Sequence, residues 1–306
     1  LTAESVIAGI GGVLGPDAIA QDPAQSKYQS GIFKNDPANP VKDWNMIFIP
    51  FVTGDVFTGS RPDATVPTYD SAPMQFVGRN NIIKFLSRII PTFLDAPVVL
   101  FAGSSAGGFG AFYNTEKVMD GFIDYSTVGT RVFVVTDSGI LFDDDFVAPC
   151  LQKRWRELWN MNPNLPKDCA GCFNADGGGI LKGVADYLSK KYPENSMGGA
   201  VDSLDDEIIK MFFSDEMNDC SYDNSPVINV FLYPAGRYSG GLRDFRDNHM
   251  DKKRYSTFFY AGSTHQNFFA PVLADRFYDN NGLSMTIAEW LTKVLQGEVV
   301  NLDAGG

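Results

Sequence analysis

The chain has 306 residues, 44% of them hydrophobic and 20% charged, which suffices for a sizeable core and excludes disordered and fibrous classes. Its 25 Lys and Arg against 37 Asp and Glu leave a net charge of −12. That balance argues against nucleic acid or an anionic membrane as partner, because both need a basic face, and no run approaches the ~18 apolar residues of a membrane span.

Residues 1–43 are rich in Gly, Pro, Ala and Asp and read as irregular. Residues 46–52 (Met-Ile-Phe-Ile-Pro-Phe-Val) read as a buried strand, with Pro50 marking a strand end or bulge. From Gln75 to Phe93 the set Phe76, Ile82, Ile83, Leu86, Ile89, Ile90 and Phe93 has helical spacing, and Pro91 marks its stop. A continuous apolar run at 98–102 predicts a strand. A glycine-rich turn follows, then a helix to about Met119. Arg131 to Thr136 is another buried strand, and strand, helix, strand in alternation implies a parallel sheet covered on both faces.

Residues 143–200 break this rhythm with three cysteines, several prolines and Gly177-Gly178-Gly179, and read as a cap or insertion in a single domain spanning 1–306. The triple glycine precedes a helical pattern at Ile180, Val184 and Leu188. Without a Walker lysine–serine pair it reads as a loop and helix start rather than a phosphate cradle. Asp143-Asp144-Asp145 reads as a solvated acidic loop rather than a cation site. Glu207 to Ser214 is compatible with a helix end or a strand, and we favour a strand. Residues 237–252 read as a charged surface helix, 255–261 as a strand, and 284–296 as an amphipathic helix on Ile287, Trp290, Leu291 and Val294.

Four cysteines, Cys150, Cys169, Cys172 and Cys220, suggest two disulfides and an oxidising, secreted or periplasmic location. A four-thiolate zinc site using Cys169-x-x-Cys172 is the rival reading, and four cysteines allow three pairings. The chain opens at Leu1 without a basic-then-apolar targeting stretch, as a mature or trimmed form would.

The motif richest in chemistry is Gly103-Ser104-Ser105-Ala106-Gly107, a G-x-S-x-G that follows a strand and opens a helix. Such a turn holds the serine in a strained conformation between small residues and aims helix N–H groups at the site. Ser105 is therefore the candidate nucleophile and the Ala106 N–H a candidate oxyanion donor. A serine hydroxyl needs a base, and the chain has two histidines. His265, just beyond the strand at 255–261, occupies a strand's carboxyl end, where such sheets place catalytic groups. His249, in a charged stretch, reads as a solvated surface residue. The orienting carboxylate falls between Ser and His in this motif's chain order. Asp215 at the end of the predicted 207–214 strand is the first choice, and Asp137 in Asp137-Ser138-Gly139 the alternative.

These residues resemble the pectin acetylesterase and Notum carboxylesterase family. The resemblance rests on Gly103-Ser104-Ser105-Ala106-Gly107-Gly108, on Trp44-Asn45 followed by Phe48-Ile49-Pro50 and Thr53-Gly54-Asp55-Val56, and on Asp137-Ser138-Gly139. It also rests on Asp215-Glu216 and His265, and it spans roughly residues 31 to 296. It implies an α/β-hydrolase fold and a secreted serine carboxylesterase acting on acyl esters. The departures are Val52 where the family has a cysteine after an aromatic, and Phe57 where it often has histidine. The resemblance also implies a Gly-Gly segment on an early strand that supplies a second oxyanion N–H. That segment is expected upstream of Leu1, on a missing N-terminal piece or a cleaved companion fragment, with Gly9-Ile10-Gly11-Gly12 as a stand-in.

The expected activity is two-step acyl transfer to water through Ser105, Asp215 and His265, with no metal or organic cofactor and with a polysaccharide, small-molecule or polymer ester as partner. Phe268 and Phe269 follow the histidine and are candidates for an acyl pocket or for core. The competing readings are a non-catalytic binding protein on the same fold and, less favoured, a peptidase.

Overall fold

The computed structural model describes residues 31–67, 73–192, 197–215, 220, 233–268 and 274–304. Gly9 to Gly12 and Phe269 lie outside these residues. The core is a five-stranded, wholly parallel sheet in the order β3-β4-β5-β6-β9. Its strands are β3 (Val98–Ser104), β4 (Arg131–Asp137), β5 (Met197–Ser203), β6 (Tyr255–Tyr260) and β9 (Asn301–Ala304). Two short antiparallel pairs flank it, β1 (Arg61–Ala64) with β2 (Met74–Phe76), and β7 (Arg276–Tyr278) with β8 (Ser284–Thr286).

Parallel strands need crossovers, and helices supply them. α1 (Gly78–Thr92) precedes β3, and α2 (Ala106–Tyr125), α3 (Pro149–Trp159), α4 (Ile180–Lys191), α5 (Glu207–Phe213), α6 (Ala235–Asp244) and α7 (Ile287–Gln296) lie between successive strands of the sheet. The period-two pattern of β4 divides the core between two faces. Val132 and Val134 join a cluster with Ile82, Leu86, Phe109, Phe112 and Val184 from α1, α2 and α4. Phe133 and Val135 face Trp290, Leu291 and Val294 of α7 with Phe258 and Leu302. The result is a helix–sheet–helix sandwich buried on both faces.

The structure corrects several sequence expectations. Residues 46–52 form no strand, and Met46, Ile47, Phe48 and Val52 are exposed. The 143–200 stretch is not wholly an insertion, since its last residues enter β5, a central strand. That strand, Met-Gly-Gly-Ala-Val-Asp-Ser, has little β propensity. Its small residues answer to packing, since a Cβ on Gly199 would lie 2.5 Å from the Trp290 ring. Residues 237–249 are helical, as expected, but one face of the helix is buried. α6 continues into a π-helical turn, Phe245–His249, and buries Tyr238, Leu242, Phe245 and His249.

The Thr53-Gly54-Asp55-Val56 motif is a structural bracket. Buried Asp55 accepts hydrogen bonds from the Thr53 hydroxyl at 2.6 Å and from the N–H groups of Phe57, Gly59 and Gly78. The last of these ties the loop to the first residue of α1. Disulfides join Cys150 to Cys220 and Cys169 to Cys172. The rival zinc reading therefore falls, since these cysteines are bonded to one another. The triple glycine is, as expected, a loop and helix start, with Gly179 capping α4 at a φ of 79°. Asp144 accepts the Gly179 N–H at 2.8 Å and Asp143 holds Lys182 at 2.6 Å. Asp143 and Asp144 are thus tied into the fold, while Asp145 is exposed.

Candidate active site

The polar groups converge at the carboxyl ends of β3, β4, β5 and β6, where open parallel sheets place their sites. Ser105 follows β3 directly, with φ 59° and ψ −124°. Its own N–H donates to the Asp137 carbonyl at 2.7 Å and its carbonyl accepts from the Gly108 N–H at 2.8 Å. These bonds hold the strained turn between the β4 end and the start of α2. Gly103 is required here by space. A Cβ on it would lie 1.9 Å from the Gly107 carbonyl oxygen. Gly107 is not, since a Cβ there would meet nothing within 4 Å. Ala106 is the first residue of α2, so no carbonyl of the preceding turn takes up its N–H within the helix.

His265 lies on the loop after β6. Its Nε2 is 2.7 Å from Ser105 Oγ, and its Nδ1 is 2.8 Å from Asp206 Oδ2. A carboxylate only accepts. The Nδ1–H therefore donates to Asp206, and Nε2 presents its lone pair to the serine hydroxyl. The loop is pinned on both sides. Ser203 at the end of β5 donates to the Thr264 carbonyl at 2.8 Å, and the Gln266 N–H donates to Ser138 Oγ at 3.1 Å.

Asp137, the alternative acid in the sequence, does something else. It is fully buried and accepts from the hydroxyls of Ser104 and Ser138, from the Asn267 N–H and side-chain amide, and from the Phe268 N–H. Burial raises its pKa while these donors pull against that rise. Asp137 therefore fastens the histidine loop to the ends of β3 and β4. Phe268 is buried among residues of the α7 side, so it belongs to the core rather than to an acyl pocket.

Asp215 is not beside His265. It forms an ion pair with Arg154 of α3. The cause is local. Residues 207–213 form the helix α5 rather than a strand. Asp206 caps it, its Oδ1 accepting from the Ile208 N–H at 3.0 Å and the Ile209 N–H at 2.9 Å. Ile209 and Phe213, four residues apart, then face the core. Asp206 thus sits just beyond β5 with Oδ2 free to reach the histidine, while Asp215 is carried a helix length away. An aspartate before Glu207 at the head of an apolar stretch is a helix N-terminal signal that the strand reading passed over.

His249 is buried as well, against the expectation of a solvated residue. Its Nδ1 lies 3.0 Å from Asp186 of α4 and its Nε2 2.9 Å from Asp244 of α6, with Asp143 at 3.6 Å. The Asp186 hydrogen bond leads in raising its pKa above the usual histidine value, and burial opposes the rise. His249 is a staple between helices, remote from Ser105 in its partners.

Residues 20–178 match the sequence profile of the family described as Pectinacetylesterase, just over half of the chain. The chain belongs to the pectinacetylesterase family. The family's curated relatives include the palmitoleoyl-protein carboxylesterase notum1 of Xenopus laevis, 34% identical over 122 residues. That match covers 39% of this chain and 24% of the relative. The human palmitoleoyl-protein carboxylesterase NOTUM is 28% identical over 128 residues, covering 41% of this chain and 25% of that protein. The chain thus matches about a quarter of the length of these relatives. A solved structure of the Wnt deacylase Notum from Drosophila superposes with a TM-score of 0.62 at 18% identity, over 90% of this chain and 76% of that one. The fold is that of the α/β-hydrolase-like Notum structures, as the sequence resemblance implies, and the family is one of ester hydrolases.

Proposed function

We propose that this chain is a serine carboxylesterase in which Ser105, His265 and Asp206 form the catalytic triad, with Asp206 in place of the expected Asp215. The observation that carries the reading is the unbroken hydrogen-bond chain from Ser105 Oγ through both ring nitrogens of His265 to Asp206 Oδ2, at 2.7 and 2.8 Å. His265 Nε2 takes the hydroxyl proton as Ser105 Oγ attacks the ester carbonyl. Buried Asp206 fixes the tautomer and stabilises the imidazolium. The Ala106 N–H, at the positive end of α2, donates to the developing oxyanion. The imidazolium returns its proton to the departing alcohol and leaves an acyl-enzyme. Water, deprotonated by the same nitrogen, then releases the carboxylic acid.

The substrate is an acyl ester, O-acetyl groups included. A net charge of −12 disfavours polyanionic carriers of that ester. The two disulfides suit a secreted or periplasmic location, and no helix among the described residues is long and apolar enough to cross a membrane. The test is hydrolysis of p-nitrophenyl acetate and longer-chain homologues. Turnover is expected in the parent protein. It should fall by about 10⁴-fold or more in Ser105→Ala, and equal rates in the two proteins would contradict the assignment.

A further inference from the structure

The loop that carries His265 is held by a side chain that the triad does not use. Asn267 lies two residues beyond the histidine and is wholly buried. Its amide Nδ2 donates to Asp137 Oδ1 at 2.8 Å and to Ser138 Oγ at 3.2 Å, and its Oδ1 accepts from the Tyr260 hydroxyl. Its backbone N–H also donates to Asp137 Oδ1, at 2.9 Å. A side-chain amide has two N–H donors and one carbonyl oxygen, and all three are engaged here.

These bonds join elements that are not neighbours. Asp137 ends β4 and Tyr260 ends β6, with β5 between them. Asn267 therefore bridges the end of the strand that leads to Asp206. Asp137 also accepts the Ser105 N–H on its backbone carbonyl. Nucleophile and base thus meet at one residue, Ser105 through the Asp137 main chain and the His265 loop through the Asp137 carboxyl. Between His265 and Asn267 the chain passes through Gln266 at a φ of 65°. A residue other than glycine keeps that left-handed conformation only where its surroundings hold it. The Gln266 N–H ends on Ser138 Oγ, the same oxygen that takes the Asn267 amide.

We propose that Asn267 is a positioning residue whose amide holds His265 within hydrogen-bonding distance of both Ser105 and Asp206. The proposal rests on the triad reading above for its catalytic consequence. The requirement is for an amide and not merely for its volume. An aspartate has the same shape but, as a carboxylate, no donor, and it would set an oxygen against Asp137 Oδ1.

The test is ester hydrolysis by Asn267→Ala, Asn267→Asp and Tyr260→Phe, each normalised to the Ser105 that a fluorophosphonate titrates. In Asn267→Ala, kcat per titrated site should fall by about tenfold to a hundredfold through displacement of the base, with KM within about twofold of the parent's. Asn267→Asp should lose at least as much. A lowered Tm with kcat per titrated site unchanged would mean a purely structural role and overturn the proposal, as would a parent-like kcat in Asn267→Asp. Should Asn267→Ala not fold, Tyr260→Phe decides. It keeps the ring and removes only the hydroxyl that orients the amide, so a severalfold lower kcat supports the proposal and an unchanged one overturns it. A readout independent of turnover is the proton resonance of the His265 Nδ1–H that faces Asp206, observed in a His249→Gln background where His265 is the sole histidine. Its loss to exchange in Asn267→Ala is expected, and its persistence unchanged overturns the proposal. A parent protein that shows this resonance and its loss in Asn267→Ala, yet hydrolyses no ester, would overturn the esterase reading alone.

Discussion

Asp206 serves two elements with two oxygens. Oδ1 caps α5 through two backbone N–H groups, and Oδ2 holds His265. Asn caps a helix as well as Asp does, yet its amide nitrogen cannot accept the imidazole N–H. Asp206→Asn should therefore keep the fold and lower kcat by about 10⁴-fold, the cost of losing the correct histidine tautomer. Asp215→Asn should behave in the opposite way. It leaves the relay intact and weakens a partly buried pair with Arg154, so kcat should stay near the parent's while unfolding becomes easier by about 1–3 kcal/mol. Kinetics and denaturant titration on the two variants check both halves. A kcat collapse in Asp215→Asn with a normal Asp206→Asn would reverse the assignment.

Where β3 turns into α2, the two glycines of the serine motif have unequal roles. Gly103→Ala drives a methyl into the Gly107 carbonyl at 1.9 Å, so the turn must shift, at a cost of about 1–3 kcal/mol typical of overpacking. Gly107 lies inside α2 with open space at its Cβ position. Alanine there should be neutral or stabilise the helix by up to about 1 kcal/mol. Paired thermal melts will show whether Gly103→Ala lowers Tm while Gly107→Ala does not.

The helices α4 and α6 meet at His249, whose imidazole faces Asp186, Asp244 and Asp143, the last also held by Lys182. Its pKa is raised in the folded state. Its contribution to stability is therefore complete below the unfolded histidine value of about 6.5 and is lost as pH rises through the folded pKa. Tm should decline as pH rises from about 6.5 through the folded pKa, and His249→Gln should remove that part of the decline. A parent Tm that rises there would contradict the sign.

At the scale of the whole molecule, the sequence exposes the frame and conceals the details that set the acid. β3, α2, β4, β6 and α7 are legible because apolar runs and helical spacing map directly onto a two-sided sheet. Ser105 and His265 are legible because a motif and a scarcity of histidines point to them. β5 is hidden by its glycines, which serve the Trp290 ring rather than any strand propensity. Once β5 is missed, the strand expected before the acid shifts to residues 207–214, and Asp215 is chosen although Asp206 is the carboxylate beside His265. The 46–52 segment misleads in the other direction, since its apolar residues are exposed rather than paired. The burial of His249 is equally silent in sequence, because Asp143 and Asp186 reach it from a loop and a helix distant in the chain.

An activated Ser105 is the centre of the proposed chemistry. Intact mass after incubation with a fluorophosphonate, followed by peptide mapping, tests this most directly. One stoichiometric adduct on Ser105 is predicted in the parent protein, with labelling lost in His265→Ala and strongly slowed in Asp206→Asn. A folded sample that takes up no adduct, or takes it up elsewhere, would contradict the account.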